Sequence, residues 1–389
     1  MADENSIHPS LILIGAGASV PAGIPSAKPM FNEIYSKLKA EPMFWKDNGS
    51  AINLAIGGIQ FKNATVEQSP LNQIDIEELF ATLRDLANRN LSSIAPFVGS
   101  WSQELLSVEN PKLMGFAGML ADTLAADLNE MTGRGVRSGR FQEAYLPNYR
   151  HALESTLRVI NGEGGHNVFT NASDVILRLI VDAVWIKDAN RVEYLKPLIA
   201  SSLKKNLWIA SLNYDNAIEL AAQQAGMSVD LGIKEGKAGA IFLNNKHISL
   251  AKLHGSVNWE IAQDLTMSVK QEPIDNPELI FGAGNKLKVE GPYLDLLLSF
   301  RDQLNRSKHL EVYGYSFRDA HVNFMILSWL SQKDDASIVI VDPFMSKDEV
   351  FENINKGLSG GQRIRTGLID KRILMHNFGI EEFLNKKYA

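Results

Sequence analysis

The chain has 389 residues, more than one hydrophobic core usually supports, so its length predicts two domains or one domain with a large insertion. Its 45% hydrophobic and 22% charged residues are ordinary for a globular protein. The net charge of -6 offers no general attraction for nucleic acid, and the absence of cysteine excludes disulfides, thiolate metal ligands and cysteine nucleophiles.

The sequence contains neither a secretory signal nor a membrane span. Its first residues are polar and acidic, and no apolar run approaches the roughly 20 residues that cross a bilayer. The expected location is therefore cytoplasmic, without contact to membranes and without direct binding of nucleic acid.

A glycine loop at residues 11–25 organises the predicted fold. Four consecutive aliphatic residues predict a strand that is buried on both faces, and Gly15 and Gly17 follow it directly. A loop of this kind brings backbone N–H groups and a helix dipole close to the phosphates of a nucleotide. Val20 stands where the dinucleotide-binding fingerprint has its third glycine, so the pattern indicates a variant nucleotide loop or, alternatively, a tight turn without a ligand.

Two helices are predicted after this loop. Apolar residues recur at helical spacing over residues 27–39 and again over 74–86, where Asp75 can cap the start. The glycine- and asparagine-rich residues 47–65 between them are predicted to form a loop or lid.

A mostly helical region follows, because helical periodicity recurs there and strand-like alternation is scarce. The predicted helices are 113–131, 149–160, 173–186 and 194–203.

Strands and helices alternate again from residue 207. The predicted strands are 207–215, 248–253, 309–316 and 337–343, and the predicted helices are 216–224, 293–304, 320–332 and 380–387. This alternation predicts an α/β fold with a doubly wound, parallel, Rossmann-like sheet and a mostly α-helical insertion. The expected divisions are the first part of the nucleotide-binding domain at 1–73, the insertion at 74–205 and the remainder of that domain at 206–389.

The residues that follow the apolar run of each predicted strand are the candidate site, because ligands bind at the carboxyl ends of the strands in open α/β sheets. These residues are Gly15, Gly17, Ser19, Asn213, Asp215, His254, Gly314, Ser316 and Asp342. Some also have purely structural interpretations, Asn213 and Asp215 as helix caps and His254 as a turn histidine. Their coincidence at one edge of a sheet favours a binding site.

Several of these segments together resemble the sirtuin-like superfamily, in particular its bacterial NAD-hydrolysing branch in antiphage defence, which includes HerA-associated and Thoeris-type proteins. The matching segments are 15–19, 23–25, 74–79, 213–215, 252–259 and 312–319. The resemblance covers residues 9–90 and 205–345 in pieces, and the helical middle matches nothing specific.

The resemblance implies NAD+ as a substrate and no prosthetic group. It implies that His254, Asn213 and Asp215 are catalytic, with Ser19 beside them in the pocket for nicotinamide and its ribose. It assigns the phosphates and adenosine to Gly15, Gly17, Gly314 and Ser316, and Ala16, Ser19, Tyr315 and Asp342 complete the set of residues expected to bind NAD+.

These residue types suit cleavage of the nicotinamide–ribose bond. Positive charge develops at the anomeric carbon, so catalysis needs fixed ribose hydroxyls, a nearby acceptor and an ordered nucleophile. Asn213 and Asp215 can bind hydroxyls and position water, and His254 can accept a proton. The sequence therefore predicts an NAD glycohydrolase that releases nicotinamide and ADP-ribose.

Protein-deacylating sirtuins differ from this chain in three features. They carry a four-cysteine zinc module, an aromatic–arginine pair after Gly-Ile-Pro, and a glutamine where this chain has Leu212; here there is no cysteine, and residues 26–28 are Ser-Ala-Lys. No metal site and no zinc are expected. The alternatives to a glycohydrolase are a subunit that senses NAD or ADP-ribose without turnover, and a protein deacylase, which these departures disfavour.

Uncontrolled NAD hydrolysis would harm the host cell, so this function implies an inactive state. The residues after Met345 contain no evident sensor domain. Control by homo-oligomerisation, or by a separate partner such as a HerA-type DNA-translocating ATPase, is therefore expected, with the helical insertion as the docking surface.

Overall fold

The computed structural model describes residues 10–65, 74–89, 168–243, 247–277, 279–281, 291–356 and 370–388. The helices predicted at 113–131 and 149–160 lie outside the described residues. The chain forms two compact units, the first made of Met1–Glu33, Asp75–Glu78 and Leu177–Ala389, and the second of Ile34–Ile74 and Leu79–Ile176. The domain limits expected from the sequence stay a prediction.

A seven-stranded parallel sheet forms the centre of the first unit. Its strands are β1 (Ser10–Ile14), β2 (Leu207–Ser211), β3 (Val229–Asp230), β4 (Ile248–Lys252), β7 (His309–Tyr313), β8 (Ser337–Val341) and β9 (Ile373–His376). A separate antiparallel pair consists of β5 (Trp259–Ile261) and β6 (Met267–Val269). The predicted doubly wound α/β fold is confirmed.

The sheet has the order β3-β4-β2-β1-β7-β8-β9. Without the two-residue edge strand β3, this is the strand order of the dinucleotide-binding Rossmann sheet, in which the chain winds outward from β1 in both directions. The direction of winding changes between β1 and β7, and ligands bind at such a switch point. Leu11 to Ile14 are buried, as expected for a central strand with helices on both faces.

Ten α-helices occur in the described ranges. They are α1 (Ala27–Ala40), α2 (Pro42–Thr65), α3 (Ile76–Ala87), α4 (Val168–Val184), α5 (Lys196–Ser201), α6 (Ala217–Gln224), α7 (Tyr293–Arg306), α8 (Ala320–Gln332), α9 (Lys347–Lys356) and α10 (Ile380–Tyr388). Most predicted helices are confirmed to within a few residues, and the predicted helix at 194–203 is a 3₁₀ helix at Ala189–Leu195 followed by α5. Every helix in these ranges is too short or too polar to span a lipid bilayer.

The prediction of a loop or lid at residues 47–65 is wrong, because α2 covers these residues. Glycine in a helix costs about 1 kcal/mol relative to alanine, and Gly57 and Gly58 suggested a break. The apolar residues on one side of α2 are buried, and this burial offsets the glycine cost. They are Ala51, Ile52, Ala55 and Ile59.

Candidate functional site

The register of the sheet brings the candidate residues to one edge. Ile14 pairs with both Ser211 and Tyr313, so β1, β2 and β7 end at the same level, and the pairing extends to β4 and β8. The loops that follow these strands therefore leave the sheet side by side. The residues predicted for the site on these loops are Gly15, Ala16, Gly17, Ser19, Asn213, Asp215, His254, Gly314, Tyr315, Ser316 and Asp342.

The glycines after β1 and β7 pack against each other at the switch point. The N–H of Gly17 donates to the carbonyl oxygen of Gly314 at 2.9 Å. A Cβ atom on Gly314 would lie 2.3 Å from the nitrogen of Ala18, and one on Gly15 would lie 2.6 Å from the Gly314 oxygen. Gly314 also has a φ of +60°, which favours glycine. Both loops therefore require glycine for this close backbone contact.

Ser19, Asn213 and Asp215 form one hydrogen-bonded group. The Nδ2 atom of Asn213 donates to Oγ of Ser19 at 2.9 Å and to the carbonyl oxygen of Gly15 at 3.0 Å. Oγ of Ser19 in turn donates to Oδ2 of Asp215 at 2.6 Å, and Oδ1 of Asp215 accepts from the N–H of Ala217 at 3.0 Å. All three side chains are buried. The group joins the loop after β1 to the loop after β2.

Asn213 retains one unused acceptor in this arrangement. Both of its amide hydrogens are engaged, whereas no group among the described residues donates to its Oδ1 atom. An amide oxygen accepts hydrogen bonds from hydroxyl groups. The side chain can therefore bind a sugar hydroxyl without breaking its contacts with the protein.

His254 follows β4 and is paired with a carboxylate. Its Nε2 atom lies 2.8 Å from Oδ2 of Asp319, and both residues are about 6% exposed. Oδ1 of Asp319 accepts from the N–H groups of His321 and Val322 at 2.9 and 3.0 Å, so the same carboxylate caps α8. The Tyr214 ring centroid is 6.4 Å from that of His254.

Nothing in the sequence marks Asp319 as a site residue. An aspartate before a helix is explained by capping alone, and the predicted helix at 320–332 begins directly after it. No spacing in the sequence connects Asp319 with His254, which lies 65 residues earlier.

Tyr315 and Ser316, which are predicted to bind the ligand, directly follow Gly314 at the glycine contact. Tyr315 is buried, and its hydroxyl donates to Oδ1 of Asn323 at 2.8 Å. Burial, and next the carboxylate of Asp319, raises the pKa of Tyr315 well above its usual value. Ser316 is half-buried, and its carbonyl oxygen accepts from Nδ2 of Asn353 at 3.0 Å.

Asp342 lies at the same edge, at the end of β8. Its Oδ1 atom accepts from the N–H groups of Phe344 and Met345, both at 2.9 Å. In the described residues no donor reaches its Oδ2 atom. The side chain is half-buried and can still accept a hydrogen bond from a ligand.

Lys252 is a second residue near the site that its sequence context does not predict. Its side chain is 1% exposed, and its ammonium group donates to the carbonyl oxygen of Asp215, to Oγ of Ser256 at 2.7 Å and to Oε1 of Glu219 at 3.1 Å. Asp215 and Ser256 belong to the loops that carry the candidate residues Asp215 and His254, and Glu219 lies in α6. A buried ammonium group needs such partners, because its desolvation is costly.

Tyr194 forms a hydrogen bond with the backbone of the glycine loop after β1. Its hydroxyl donates to the carbonyl oxygen of Ala18 at 2.7 Å. Burial, followed by the nearby carboxylate of Asp215, raises the pKa of Tyr194 above its usual value. The phenol therefore stays neutral at physiological pH and acts as a donor.

No three His, Asp or Glu side chains in the described ranges come together in a group that could hold a metal ion.

Comparison with known families identifies one match. Residues 208–358 match the family model of the SIR2-like domain. The matched segment contains Asn213, Asp215, His254 and Asp319, whereas β1 and its glycine loop precede it. This part of the chain is similar to the SIR2-like domain, which supports the resemblance to the sirtuin-like superfamily and is compatible with an NAD-related function. No curated protein matches the chain.

Proposed function

We propose that this protein is an NAD glycohydrolase, which converts NAD+ and water into nicotinamide, ADP-ribose and a proton. The observation that carries the proposal is the buried Ser19–Asn213–Asp215 group, which lies beside paired glycine loops at the switch point and has His254 on the neighbouring strand end. Polar side chains with unused capacity are expected where a sugar binds.

The pyrophosphate of NAD+ belongs at the glycine loops in this proposal. The N–H of Ala16 donates to no backbone group in the described part of the chain, and Ala16 is exposed. It stands at the start of the 3₁₀ helix Ala16–Ser19, where backbone N–H groups favour an anion. Ala16 therefore offers a hydrogen bond to a phosphate oxygen.

The reacting ribose belongs beside Asn213 and Asp215. Oδ1 of Asn213 accepts a hydroxyl hydrogen, and the negative charge of Asp215 stabilises the positive charge that develops at the anomeric carbon. The C–N bond breaks, and its electron pair neutralises the nicotinamide ring. Water forms the new bond to the anomeric carbon, and His254 accepts the proton that the water loses.

The test is nicotinamide release from NAD+ by the purified chain, followed by liquid chromatography. Asn213→Ala and His254→Gln are each expected to lower the turnover rate by about 100-fold or more. His309→Gln is the matched control, because His309 is an exposed histidine at the start of β7, on the opposite edge of the sheet. Equal turnover in all three variants would contradict the assigned site.

A binding subunit without turnover is the other outcome of this test. If the wild-type chain binds NAD+ or ADP-ribose in calorimetry but releases no nicotinamide, alone or with its partner, the hydrolase proposal is wrong. An acetylated peptide in the same assay tests deacylation, which would make nicotinamide release depend on the peptide.

A role in antiphage defence, through depletion of NAD, extends the proposal on the strength of the sequence resemblance. Control by self-assembly or by a HerA-type ATPase extends it in the same way. Cellular NAD measured during phage infection, in cells with the wild-type chain and with His254→Gln, tests the role. A loss of NAD that is the same for both chains would exclude it.

A further inference from the structure

The loop between β7 and α8 is held in a strained conformation. Phe317 in this loop has a φ of +54°, although it is a bulky residue that is 0% exposed. The left-handed region is unfavourable for a residue of this kind, because its Cβ atom comes too close to the following carbonyl oxygen. Such strain persists only where the surroundings determine the conformation, and it is frequent at functional sites.

Two side chains hold the loop in this conformation. Nδ2 of Asn323 donates to the carbonyl oxygen of Phe317 at 2.8 Å. The hydroxyl of Tyr315 donates to Oδ1 of Asn323 at 2.8 Å and accepts from the N–H of Asp319 at 3.1 Å. Asn323 and Tyr315 are both buried. The network therefore fixes the backbone of Asp319 itself.

Capping of α8 does not by itself explain an aspartate at position 319. Serine, threonine and asparagine cap helices about as well as aspartate. The carboxylate of Asp319 is buried, and a buried charge is costly unless it is paired. Its second oxygen, Oδ2, is the atom that meets Nε2 of His254. This contact is what an uncharged cap could not supply.

We propose that Asp319 is a positioning residue for His254. It holds the imidazole in one orientation with a hydrogen on Nε2, and it stabilises the imidazolium that forms when His254 accepts a proton. The catalytic part of this inference rests on the proposed glycohydrolase function. The orientation and protonation of His254 are independent of that function, and they can be measured on a protein that turns over no substrate.

Asp319→Asn separates the two functions of the carboxylate. Its single side-chain oxygen can continue to cap α8, so the helix keeps its acceptor. The position next to Nε2 of His254 is then filled by an NH₂ group, which donates instead of accepting. The imidazole hydrogen is therefore expected to leave Nε2.

Nitrogen-15 NMR of the histidine rings measures this directly. The chain has eight histidines, and His254→Gln identifies the signal of His254. In the wild-type chain we expect a hydrogen on Nε2 and a pKa of His254 above that of an ordinary histidine. In Asp319→Asn we expect the hydrogen to move to Nδ1 and the pKa to fall by about one unit or more. Among the described residues the ring of Tyr214 lies near that of His254, its hydroxyl donates to Glu77, and the substitution leaves both side chains in place.

Kinetic measurements complete the test. Asp319→Asn is expected to lower kcat for nicotinamide release by about 10- to 1000-fold and to leave the affinity for ADP-ribose unchanged. Asp188→Asn is the matched control, because Asp188 caps the 3₁₀ helix Ala189–Leu195 with the same kind of hydrogen bond, is exposed, and forms no hydrogen bond with a histidine of the described residues. It should change neither the NMR signals of His254 nor kcat.

Two results would overturn the inference. One is a wild-type His254 that carries its hydrogen on Nδ1, a measurement that does not depend on whether the variant folds. The other is an Asp319→Asn variant with the same His254 titration as the wild-type chain. If the NMR results agree with the inference but no NAD+ is hydrolysed, only the proposed function fails.

Discussion

Oγ of Ser19 lies 2.6 Å from Oδ2 of Asp215, so one short hydrogen bond joins two strand-end loops that are 196 residues apart in the chain. The same Oγ accepts from Asn213. Ser19 therefore determines how the carboxylate and the amide of the candidate site are arranged relative to each other.

Ser19→Ala should impair both stability and activity. It removes a hydrogen bond to a buried carboxylate, which costs about 1 to 3 kcal/mol of unfolding free energy. We also expect kcat/KM for NAD+ to fall, because Asp215 and Asn213 lose their common partner. Urea unfolding and the nicotinamide assay measure the two effects.

Ser202→Ala provides the comparison for that experiment. Ser202 is also a buried serine, and its hydroxyl donates to the carbonyl oxygen of Ile199 at 2.7 Å, away from the candidate site. Ser202→Ala should lower the unfolding free energy by about 0.5 to 1.5 kcal/mol and leave the nicotinamide-releasing activity unchanged. If Ser202→Ala reduces kcat/KM as much as Ser19→Ala, the special role of Ser19 is refuted.

Gly314→Ala tests the contact between the two glycine loops. The new Cβ would collide with the nitrogen of Ala18. Gly226→Ala is the control, since Gly226 has a similar φ of +67° but nothing within 4 Å of its Cβ position. We expect Gly226→Ala to lower the unfolding free energy by about 1 to 2 kcal/mol. Gly314→Ala should lower it by about 1 to 3 kcal/mol more, because of the collision, and should also abolish NAD+ binding. Thermal unfolding and calorimetry distinguish these outcomes, and equal effects would argue against the steric contact.

Lys252→Met should be strongly destabilising. It leaves the part-buried carboxylate of Glu219 without its cation and the buried carbonyl oxygen of Asp215 without its donor, and each buried polar group left unsatisfied costs about 1 to 3 kcal/mol of unfolding free energy. The comparison is Lys196→Met, which breaks an exposed pair with Glu193 and should cost less than about 1 kcal/mol. Chemical unfolding of both variants is the measurement. A cost below about 1 kcal/mol at Lys252 would show that its ammonium does not hold the two loops together.

Stability should decline at alkaline pH because of buried tyrosines. Burial raises the pKa of Tyr214 and of Tyr315 well above the usual value, with Glu77 and Asp319 as the next causes. Below pH 10 both states are protonated and the full stability is present. Above about pH 10 the unfolded chain loses phenol protons that the folded chain keeps, so the unfolding free energy falls by about 1.4 kcal/mol per pH unit for each phenol.

Urea unfolding between pH 8 and 11 measures this dependence. Tyr315→Phe removes one of the phenols, so it should make the decline above pH 10 shallower by the contribution of one group. An unchanged slope would mean that Tyr315 ionises equally in both states.

The strands, and the meeting of the polar residues at their carboxyl ends, could be predicted because parallel buried strands are short apolar runs followed by polar residues. The run before Asn213 and the run before His254 show this pattern, and β2 and β4 lie there. The prediction that these ends meet depended only on the rule that parallel strands share an edge. The backbones of Gly15 and Gly314 come close together at this shared edge, and only glycine leaves room for that contact.

Other features depend on contacts that no local pattern contains. The helix α2 forms because Ile52 and Ile59 are buried, although the local composition favours a loop. Lys252 ends an apolar strand and resembles an exposed strand terminus in the sequence, whereas its distant partners are Asp215 on the loop after β2 and Glu219 in α6. The pairing of Asp319 with His254 likewise exists only once β4 and β7 have taken their places in the sheet.

The central position of β1 has a consequence for how the protein is made. β1 pairs with β2 and with β7, whose residues follow it by about 200 and about 300 positions. At roughly 5 to 20 residues per second, a ribosome needs on the order of 15 to 60 s after β1 to complete β7. During that time a run of aliphatic residues that will become the middle of the sheet is without its final neighbours. The nascent chain is therefore expected to depend on chaperones until synthesis has passed residue 313.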